Sequence, residues 1–320
     1  MRKPKLSDQD FIDLWNKVGS VGEIAKMMGL DYRSVFRRRR RIEAKTGNIL
    51  VSVNKKSPDF LVSYAHNNVR TNVELANGTI VVGSDCHYWP GIISTAHRAF
   101  VKIIKDLKPK MVVMNGDVFD GASISRHPVS GWESIPNVKQ ELETCQERLE
   151  EIEKAAKGAS LHWCWGNHDQ RFNARLAAQV GDGFKGIVGM DLKDHFPMWK
   201  FSMSIMVNEH TQIKHRLYNG VHASYNATLK SGVSTVNGHL HSLKAVPYTD
   251  LKGTRYGVDT GSLANVWGDQ FSYTEDSTRN HRSGFAVLTF YEGKLLPPEL
   301  CEVIDEDEGL VVFRGEVLKV

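Results

Sequence analysis

Most of the chain alternates between short apolar runs and longer segments in which apolar residues recur at helical spacing. Runs such as 79–82, 111–114 and 160–164 have the length of buried strands. Between them, residues 96–107 and 138–157 place apolar side chains every three or four positions, which predicts helices. Strands that alternate with helices form βαβ units, so the pattern predicts an α/β fold.

Two further patterns concern how the predicted strands pair. Residues 73–75 and 79–82 flank Asn77-Gly78, a dipeptide typical of tight turns, so a β-hairpin is predicted there. Residues 258–262 and 286–290 are also predicted to be strands, and these would complete a second sheet.

The beginning of the chain follows a different pattern, which predicts three short helices. Ser7 is placed to cap the first helix and Gly19 to end it, and the second helix would end before Gly29. The small Ala25 and the turn at Gly29 have the spacing of a helix-turn-helix. The segment therefore resembles the helix-turn-helix of small DNA-binding domains.

The third predicted helix is strongly basic. Residues 1–50 contain twelve Lys and Arg against six Asp and Glu, a net charge of +6, whereas the whole chain carries +4 and the remainder therefore −2. We predict that this helix contacts nucleic-acid phosphates, with docking on the rest of the chain as the alternative. The arginines assigned to phosphate contact are Arg33, Arg37, Arg38, Arg40 and Arg41. Arg38 and Arg39 are both predicted to lie near the apolar line of Val35 and Ile42, and Arg39 is left out of the phosphate contacts because it is expected to support the small core.

A linker is predicted between this basic module and the α/β domain. Residues 55–58 are polar and end in a proline, which disfavours regular structure. The predicted organisation is a helix-turn-helix module at 1–48, a linker at 49–72 and one α/β domain at 73–320.

Composition restricts the class of protein. The chain is 41% hydrophobic and 24% charged, as in ordinary globular proteins. No run approaches the roughly 18 apolar residues of a membrane span, and no apolar signal core follows the basic N-terminal residues, so no membrane partner is expected. The four cysteines lie far apart in the sequence, which argues against a disulfide framework and favours a reducing cytoplasm.

Polar residues with metal-binding or acid–base side chains follow three of the predicted strands. Asp85 and His87 come after the first of these, and residues two apart share one side of an extended segment. The second strand ends in Gly116-Asp117, with Asp120 three residues later, and the third ends in Gly166-Asn167-His168-Asp169. The carboxyl ends of such strands meet at one edge of a sheet, where α/β proteins bind ligands.

Two later segments carry histidines. Residues 215–222 are predicted to be a strand that ends in His222, and residues 235–241 a short strand that runs into His239 and His241. Taken singly, each of these motifs also fits an ordinary loop or a structural histidine. Five such motifs in this order, each after a predicted strand, are not expected by chance.

In these five motifs the sequence resembles the calcineurin-like metallophosphoesterases, over roughly residues 73–290. One motif is looser than usual, because many members have a histidine directly after the glycine of Gly220-Val221-His222. The resemblance implies a two-sheet αββα sandwich whose site holds two metal ions. It assigns one ion to Asp85, His87, Asp117 and His241, and the other to Asp117, Asn167, His222 and His239.

The resemblance also implies how the site would work. Two divalent cations clamp the phosphoester and share a hydroxide that attacks phosphorus. His168 would protonate the leaving group and Asp120 would orient His168, whereas the role of Asp169 is left open. Nitrogen and oxygen ligands without thiolates suit Mn²⁺, which is the expected ion, and also iron or Zn²⁺.

Among the activities of this family, the motifs look most like those of DNA-repair nucleases of the SbcD type. The protein serine/threonine phosphatases typically have Arg and Glu at the positions of Gly121 and Asp169. The predicted function is therefore a phosphodiesterase or nuclease that acts on nucleic acid. One alternative is a phosphomonoesterase or small-molecule phosphodiesterase whose helix-turn-helix serves regulation or oligomerisation. The other is a DNA-binding regulator on an inactive hydrolase scaffold, against which the complete ligand set argues.

Overall fold

The computed structural model describes residues 6–46, 50, 60–64, 69–126, 134–274 and 279–320. The chain divides into two compact units, Met1–Pro58 and Asp59–Val320. Much of the predicted linker, at 51–59 and 65–68, lies outside the described residues.

Three helices form the described part of the first unit. They are α1 (Asp8–Val18), α2 (Val21–Met28) and α3 (Tyr32–Thr46). Ser7 and Asp10 form a capping box at the start of α1, in which each side chain accepts a hydrogen bond from the other residue's backbone N–H. Gly19 and Gly29 end α1 and α2 in the left-handed conformation, which glycine adopts without steric cost. The helices therefore begin and end within a residue or two of their predicted positions.

A small apolar core holds these three helices together. Phe11 and Trp15 of α1, Ile24 of α2, and Val35 and Ile42 of α3 are all fully buried. The four- and seven-residue spacings within α1 and α3 put these side chains on one face of each helix. The first unit thus has a hydrophobic core of its own.

The second unit consists of two β-sheets and the helices that flank them. Its helices are α4 (Thr95–Leu107), α5 (Val138–Ala155), α6 (Asp169–Val180) and α7 (Ala223–Ser231), with 3-10 turns at Ala122–Ile124, Asp182–Phe184, Leu192–His195 and Asp269–Thr274. Its strands are β1 (Phe60–Tyr64), β2 (Arg70–Leu75), β3 (Gly78–Gly83), β4 (Met111–Met114), β5 (Ser160–Cys164), β6 (Lys200–Ser202), β7 (Ser204–Val207), β8 (Thr211–Ile213), β9 (Ser234–Asn237), β10 (Leu243–Asp250), β11 (Gly253–Thr260), β12 (Gly284–Tyr291), β13 (Lys294–Leu295), β14 (Glu299–Asp305), β15 (Leu310–Phe313) and β16 (Glu316–Lys319).

The first sheet has the strand order β1-β2-β7-β8-β9-β11-β10. The second has the order β16-β15-β14-β12-β3-β4-β5-β6, with β13 beside β12. This is the predicted two-sheet α/β fold.

The central strands of the second sheet are buried on both faces. Because side chains alternate along a strand, β3 contributes to two cores. Val81 joins the core that contains Phe100 of α4 and Leu149 of α5, whereas Ile80 and Val82 join the core between the two sheets. A strand covered on both faces has a continuous apolar sequence, which is the pattern that predicted these strands.

The predicted hairpin around Asn77 is wrong. β2 lies in the first sheet between β1 and β7, whereas β3 lies in the second sheet between β12 and β4. The Asn77 side chain accepts a hydrogen bond from the backbone N–H of Glu292, and the chain crosses from one sheet to the other at this point. Burial of β2 and β3 in different sheets outweighs the local turn preference of the dipeptide.

The second unit begins earlier than the predicted boundary at residue 73. β1 pairs with β2 in antiparallel register, with Phe60 opposite Leu75 and Tyr64 opposite Thr71. The segment predicted as a linker therefore contains one whole strand and the start of the next. Ladder hydrogen bonds are made by backbone groups, so an edge strand of this kind needs no strong side-chain pattern.

Two observations bear on the expectations from composition. No helix in the described part of the chain is long and apolar enough to span a bilayer. All four cysteines are buried and free. Burial raises the pKa of the Cys86 and Cys145 thiols well above the usual range, so both act as small apolar side chains.

Asn208 joins three chain segments at the turn between β7 and β8. Its Oδ1 accepts a hydrogen bond from the Leu75 N–H at 2.8 Å, and its Nδ2 donates to the carbonyl oxygens of Leu75 and Gly293 at 2.7 and 2.9 Å. We expect Asn208→Ala to lower the free energy of unfolding by about 1–3 kcal/mol in urea titrations, because these hydrogen bonds are lost. Asn208→Gly is the control for backbone strain, since φ is 50° at this position. Wild-type stability in both variants would contradict the prediction.

Candidate metal centre

The candidate ligands converge from loops at the carboxyl ends of five strands. Asp85 and His87 follow β3, Asp117 follows β4, Asn167 follows β5, His215 follows β8, and His239 and His241 follow β9. β3, β4 and β5 run parallel in the second sheet, and β8 and β9 run parallel in the first. The two sheets therefore each deliver loops to one common site.

Three groups of side chains hold potential ligand atoms within 4.8 Å of one another. They are Asp85, His87 and His241; Asp117, His215 and His239; and His87, Asp120 and His168. The first two groups correspond to the two predicted ion sites. The third contains the two residues predicted for acid–base chemistry.

His215, and not His222, completes the second group. The chain after β8 is not a strand, and His222 is exposed at the start of α7. His215 is only 2% exposed, and its Nε2 lies 3.0 Å from Asp117 Oδ2. The assignment of His222 to an ion is therefore replaced by His215. The sequence offers one signal for His215, its position just after the short run at 211–213. The strand β8 was not predicted because it has only three residues.

The hydrogen bonds of His215 show that the second group requires positive charge. Its Nδ1 lies 2.7 Å from the carbonyl oxygen of Asn115, so this nitrogen carries a hydrogen. Its Nε2 then faces the Asp117 carboxylate, a contact that is favourable only if Nε2 carries a proton or a cation lies between the two atoms. Burial by itself lowers the pKa of His215, but the carboxylates of Asp117 and Asp85 outweigh burial and raise it to about 10. A divalent cation fits such a position.

Buried polar atoms without partners give a second test of the metal assignment. Among the described residues, buried polar atoms without a hydrogen-bond partner also occur outside the site, for example Thr71 Oγ1 and His162 Nδ1. Three such atoms, His87 Nε2, Asn167 Oδ1 and His241 Nδ1, belong to candidate ligand residues and are nitrogen or oxygen donors. Buried polar atoms nearly always have a partner, so three unpaired ones in one site call for an ion or water there. The residues present therefore fit two divalent metal ions.

The backbone at the ligands is strained. Five of them have left-handed φ angles, namely Asp85 (51°), His87 (40°), Asp117 (53°), His239 (72°) and His241 (53°). Non-glycine residues in that region cost roughly 1–3 kcal/mol each, and such residues cluster at functional sites. Backbone hydrogen bonds hold the conformation, from the Asp85 N–H to the Gly116 carbonyl at 2.9 Å and from the His87 N–H to the Asp117 carbonyl at 3.0 Å.

Two glycines allow the ligand loops to approach one another. A Cβ atom at Gly166 would lie 2.1 Å from Asp117 Oδ1, and one at Gly116 would lie 2.5 Å from the ring of His215. Either side chain would displace a candidate ligand. The glycines of these two motifs are therefore explained by close packing against the site.

Asp120 connects His87 with His168. Its Oδ1 lies 2.7 Å from His87 Nδ1 and 2.8 Å from His168 Nδ1. Arg171 donates hydrogen bonds to His168 Nε2 at 3.1 Å and to the Asp120 carbonyl oxygen at 2.9 Å. Burial lowers the pKa of His168, but the hydrogen bond to Asp120 and the charge of Asp117 raise it overall. Asp120 can hold the His168 ring in this geometry. The acid role of His168 stays a prediction, because its Nδ1 faces Asp120 and its Nε2 accepts a hydrogen bond from Arg171.

Asp169, whose role the sequence left open, holds two of the ligand loops together. Its buried carboxylate accepts five hydrogen bonds of 2.8–3.1 Å. The donors are the backbone N–H groups of Asp117, Val118, Phe119 and Gly166 and the indole N–H of Trp163. None of the ligand groups found among the described residues includes Asp169. It positions the loops after β4 and β5.

The predicted nucleic-acid contacts in the first unit divide into two sets. Arg33, Arg37 and Arg40 are exposed, and their spacing of four and three residues places them on one face of α3. Within the described residues, no ion pair involves any of these three. They are available to an external anion.

The other predicted arginines bind within the unit. Arg38 is 17% exposed, donates to the carbonyl oxygens of Leu6 and Ser7 and lies 3.6 Å from Asp8 Oδ1. Arg41 pairs with the same Asp8 carboxylate at 3.2 Å. Arg38 therefore supports the packing of α3 on the start of α1, and we remove it from the predicted phosphate contacts. The aliphatic part of the Arg38 side chain lies near the apolar face of α3. This position brings the guanidinium to the carbonyl oxygens of Leu6 and Ser7.

Comparison with known proteins identifies the family of this chain. The family model for the calcineurin-like phosphoesterases matches residues 78–243, more than half of the chain, and this range contains all the ligand groups. The gene 54 protein of Mycobacterium phage L5 is 28% identical over 235 residues, which cover 65% of this chain and 87% of that protein.

Two matched solved structures share little sequence with this chain and have low TM-scores. An archaeal phosphodiesterase has 13% identity and a TM-score of 0.37, covering 70% of this chain and 99% of its own. A dimetal phosphatase from Danio rerio has 12% identity and a TM-score of 0.37, covering 75% of this chain and 97% of its own. The family is shown by the match of residues 78–243 to the family model and not by these structures. The chain belongs to the calcineurin-like phosphoesterase family of metal-dependent hydrolases.

Proposed function

We propose that the protein is a nuclease, a phosphodiesterase that acts on nucleic acid, and that its three-helix unit anchors the substrate. The observation that carries this proposal is the exposed row formed by Arg33, Arg37 and Arg40 in a chain that also contains a phosphoesterase site. A row of exposed arginines that form no ion pair within the described residues favours a polyanionic partner, because each phosphate contact releases bound counterions.

The form of the first unit supports the same proposal. α2 and α3 are joined by the short turn at Gly29, and α3 would correspond to the recognition helix of a helix-turn-helix. The three arginines span about 10 Å of helix at 1.5 Å per residue, so all three can reach one phosphate backbone. We infer phosphate contact from this charge and no particular base sequence.

The proposed catalytic roles follow from the geometry of the site. Two divalent ions, for which we propose Mn²⁺, would be held by Asp85, His87, Asp117, Asn167, His215, His239 and His241, and would supply charge neutralisation and water activation. His168 can protonate the leaving oxygen. Asp120 holds the His168 ring in place, and the resemblance of the motifs to SbcD-type nucleases favours a diester as the substrate.

The activity itself is the first test. We expect the full-length protein with Mn²⁺ to hydrolyse bis(p-nitrophenyl) phosphate and to degrade DNA or RNA, and chelation to abolish both reactions until Mn²⁺ is restored. Release of p-nitrophenolate and gel analysis of oligonucleotides measure the two activities. Hydrolysis of monoesters alone would support the alternative phosphomonoesterase. A metal-loaded protein that cleaves neither class of ester would contradict the proposal.

The division of roles among the histidines gives a second test. We expect His168→Ala to lower kcat by about 10²–10⁴-fold with metal content unchanged, because His168 moves a proton and does not bind metal. His215→Ala should lose bound metal, as measured by elemental analysis. His222→Ala is the matched control and should retain both metal and activity. Metal loss in His222→Ala with none in His215→Ala would overturn the revised assignment.

The arginine row gives a third test. We expect replacement of Arg33, Arg37 and Arg40 by Gln to flatten the log–log salt dependence of DNA binding by about 2–3 units, at about 0.9 per lost phosphate contact. Hydrolysis of the aryl diester should not change. The control replaces Lys139, Lys154 and Lys157 of the second unit by Gln, which removes the same charge. An equal effect of both triple variants on the slope would argue against a specific anchor.

A further inference from the structure

A cavity of about 800 Å³ is lined in part by residues that flank the candidate ligand Asn167 in the sequence, and none of the roles described above uses it. Its volume lies within the range of about 300–1,000 Å³ that is typical of small-molecule sites. Trp165 in its wall directly precedes Gly166, and Gln170 lies three residues after the candidate ligand Asn167. The cavity is therefore built on the same loop that carries part of the site.

The wall of this cavity is the outer end of a stack of aromatic rings. Trp163 is fully buried and stacks on Phe201, with ring centroids 4.7 Å apart and an angle of 28° between the planes. Phe201 in turn contacts Trp165 at 4.8 Å. The indole of Trp163 is held by its hydrogen bond to Asp169. The stack is thus fixed at its inner end, and its outer ring, Trp165, is partly exposed in the cavity.

The rim of the cavity carries polar and positively charged groups. Lys193 and Lys200 are both exposed there. Lys193 pairs with Asp191 at 2.9 Å, whereas Lys200 makes no ion pair within the described residues and lies 3.5 Å from the Ser160 hydroxyl. The exposed amide of Gln170 can both donate and accept hydrogen bonds. An aromatic wall, an amide and an ammonium group together suit a planar base attached to a phosphate.

We propose that this cavity binds a nucleobase of the substrate strand, with the base stacked on Trp165 and Lys200, whose ammonium lies near the start of β5, on a phosphate farther along the strand. The inference rests on the proposed function, because it takes a nucleic-acid strand as the substrate. It adds that the strand is single-stranded or frayed at the site, since a base that is paired and stacked in a duplex cannot enter such a cavity.

The decisive experiment compares two diesters that share one leaving group. With Mn²⁺, thymidine 5′-(p-nitrophenyl) phosphate offers a base, whereas methyl p-nitrophenyl phosphate does not. We expect Trp165→Leu to lower kcat/KM for the thymidine ester by about 5-fold or more, and to leave the methyl ester within about 2-fold, because base stacking is lost. Tyr291→Leu is the control, since this exposed tyrosine lies in β12 beside the start of β3, at the end of the sheet opposite the site.

A binding measurement keeps the proposal testable if Trp165→Leu does not fold. Lys200 is exposed, so Lys200→Gln does not disturb the core, and we expect it to flatten the log–log salt dependence of binding of phosphorothioate (dT)4 by about 0.7. Failure of the wild-type protein to cleave either ester would overturn the proposed function, while the (dT)4 measurement would still test the cavity. An unchanged ratio of the two esters in folded Trp165→Leu would overturn the cavity proposal alone. An unchanged (dT)4 slope in Lys200→Gln would mean that Lys200 does not contact the bound strand.

Discussion

The buried carboxylate of Asp169 is the interaction on which the geometry of the metal centre depends. One side chain satisfies four backbone N–H groups and the Trp163 indole, and these donors belong to the strand β5 and to the loops after β4 and β5. Each donor would cost about 1–3 kcal/mol if left buried and unpaired. The candidate ligands Asp117 and Asn167 lie on these two loops, so the distance between the loops is set by a residue that binds no metal itself.

The ligand groups are held in an unfavourable arrangement by the rest of the fold. Five ligand residues adopt left-handed backbone conformations, and the carboxylates of Asp85 and Asp117 are both buried in the same site. Each carboxylate alone would be costly to bury, and a nearby cation or protonated histidine compensates for that cost. Positive charge at His215 Nε2 is therefore favoured by both carboxylates, Asp117 and Asp85, and not by one residue alone. A fold that maintains this arrangement favours divalent cations over water.

The sequence alone determined the features that depend on neighbouring residues. Helix ends in the first unit follow from Ser7, Gly19 and Gly29, because caps satisfy backbone groups within one helical turn. The strands of the second sheet follow from continuous apolar runs, because a strand covered on both faces must be apolar at every position. The spacing of Asp85 and His87 was likewise sufficient to predict that these two act together. His239 and His241 have the same spacing, yet they belong to different ligand groups.

Only the tertiary structure decided the features that depend on distant residues. Asn77 has a strong turn preference, yet the sheets on either side of it require the chain to cross. His215 was missed because its strand is only three residues long and is recognised by its partners β7 and β9. The sequence placed Arg38 near the apolar line of α3, but only the structure brings the carbonyl groups at the start of α1 beside it. In each case a long-range contact outweighs a local preference of comparable size, and no window of neighbouring residues contains that contact.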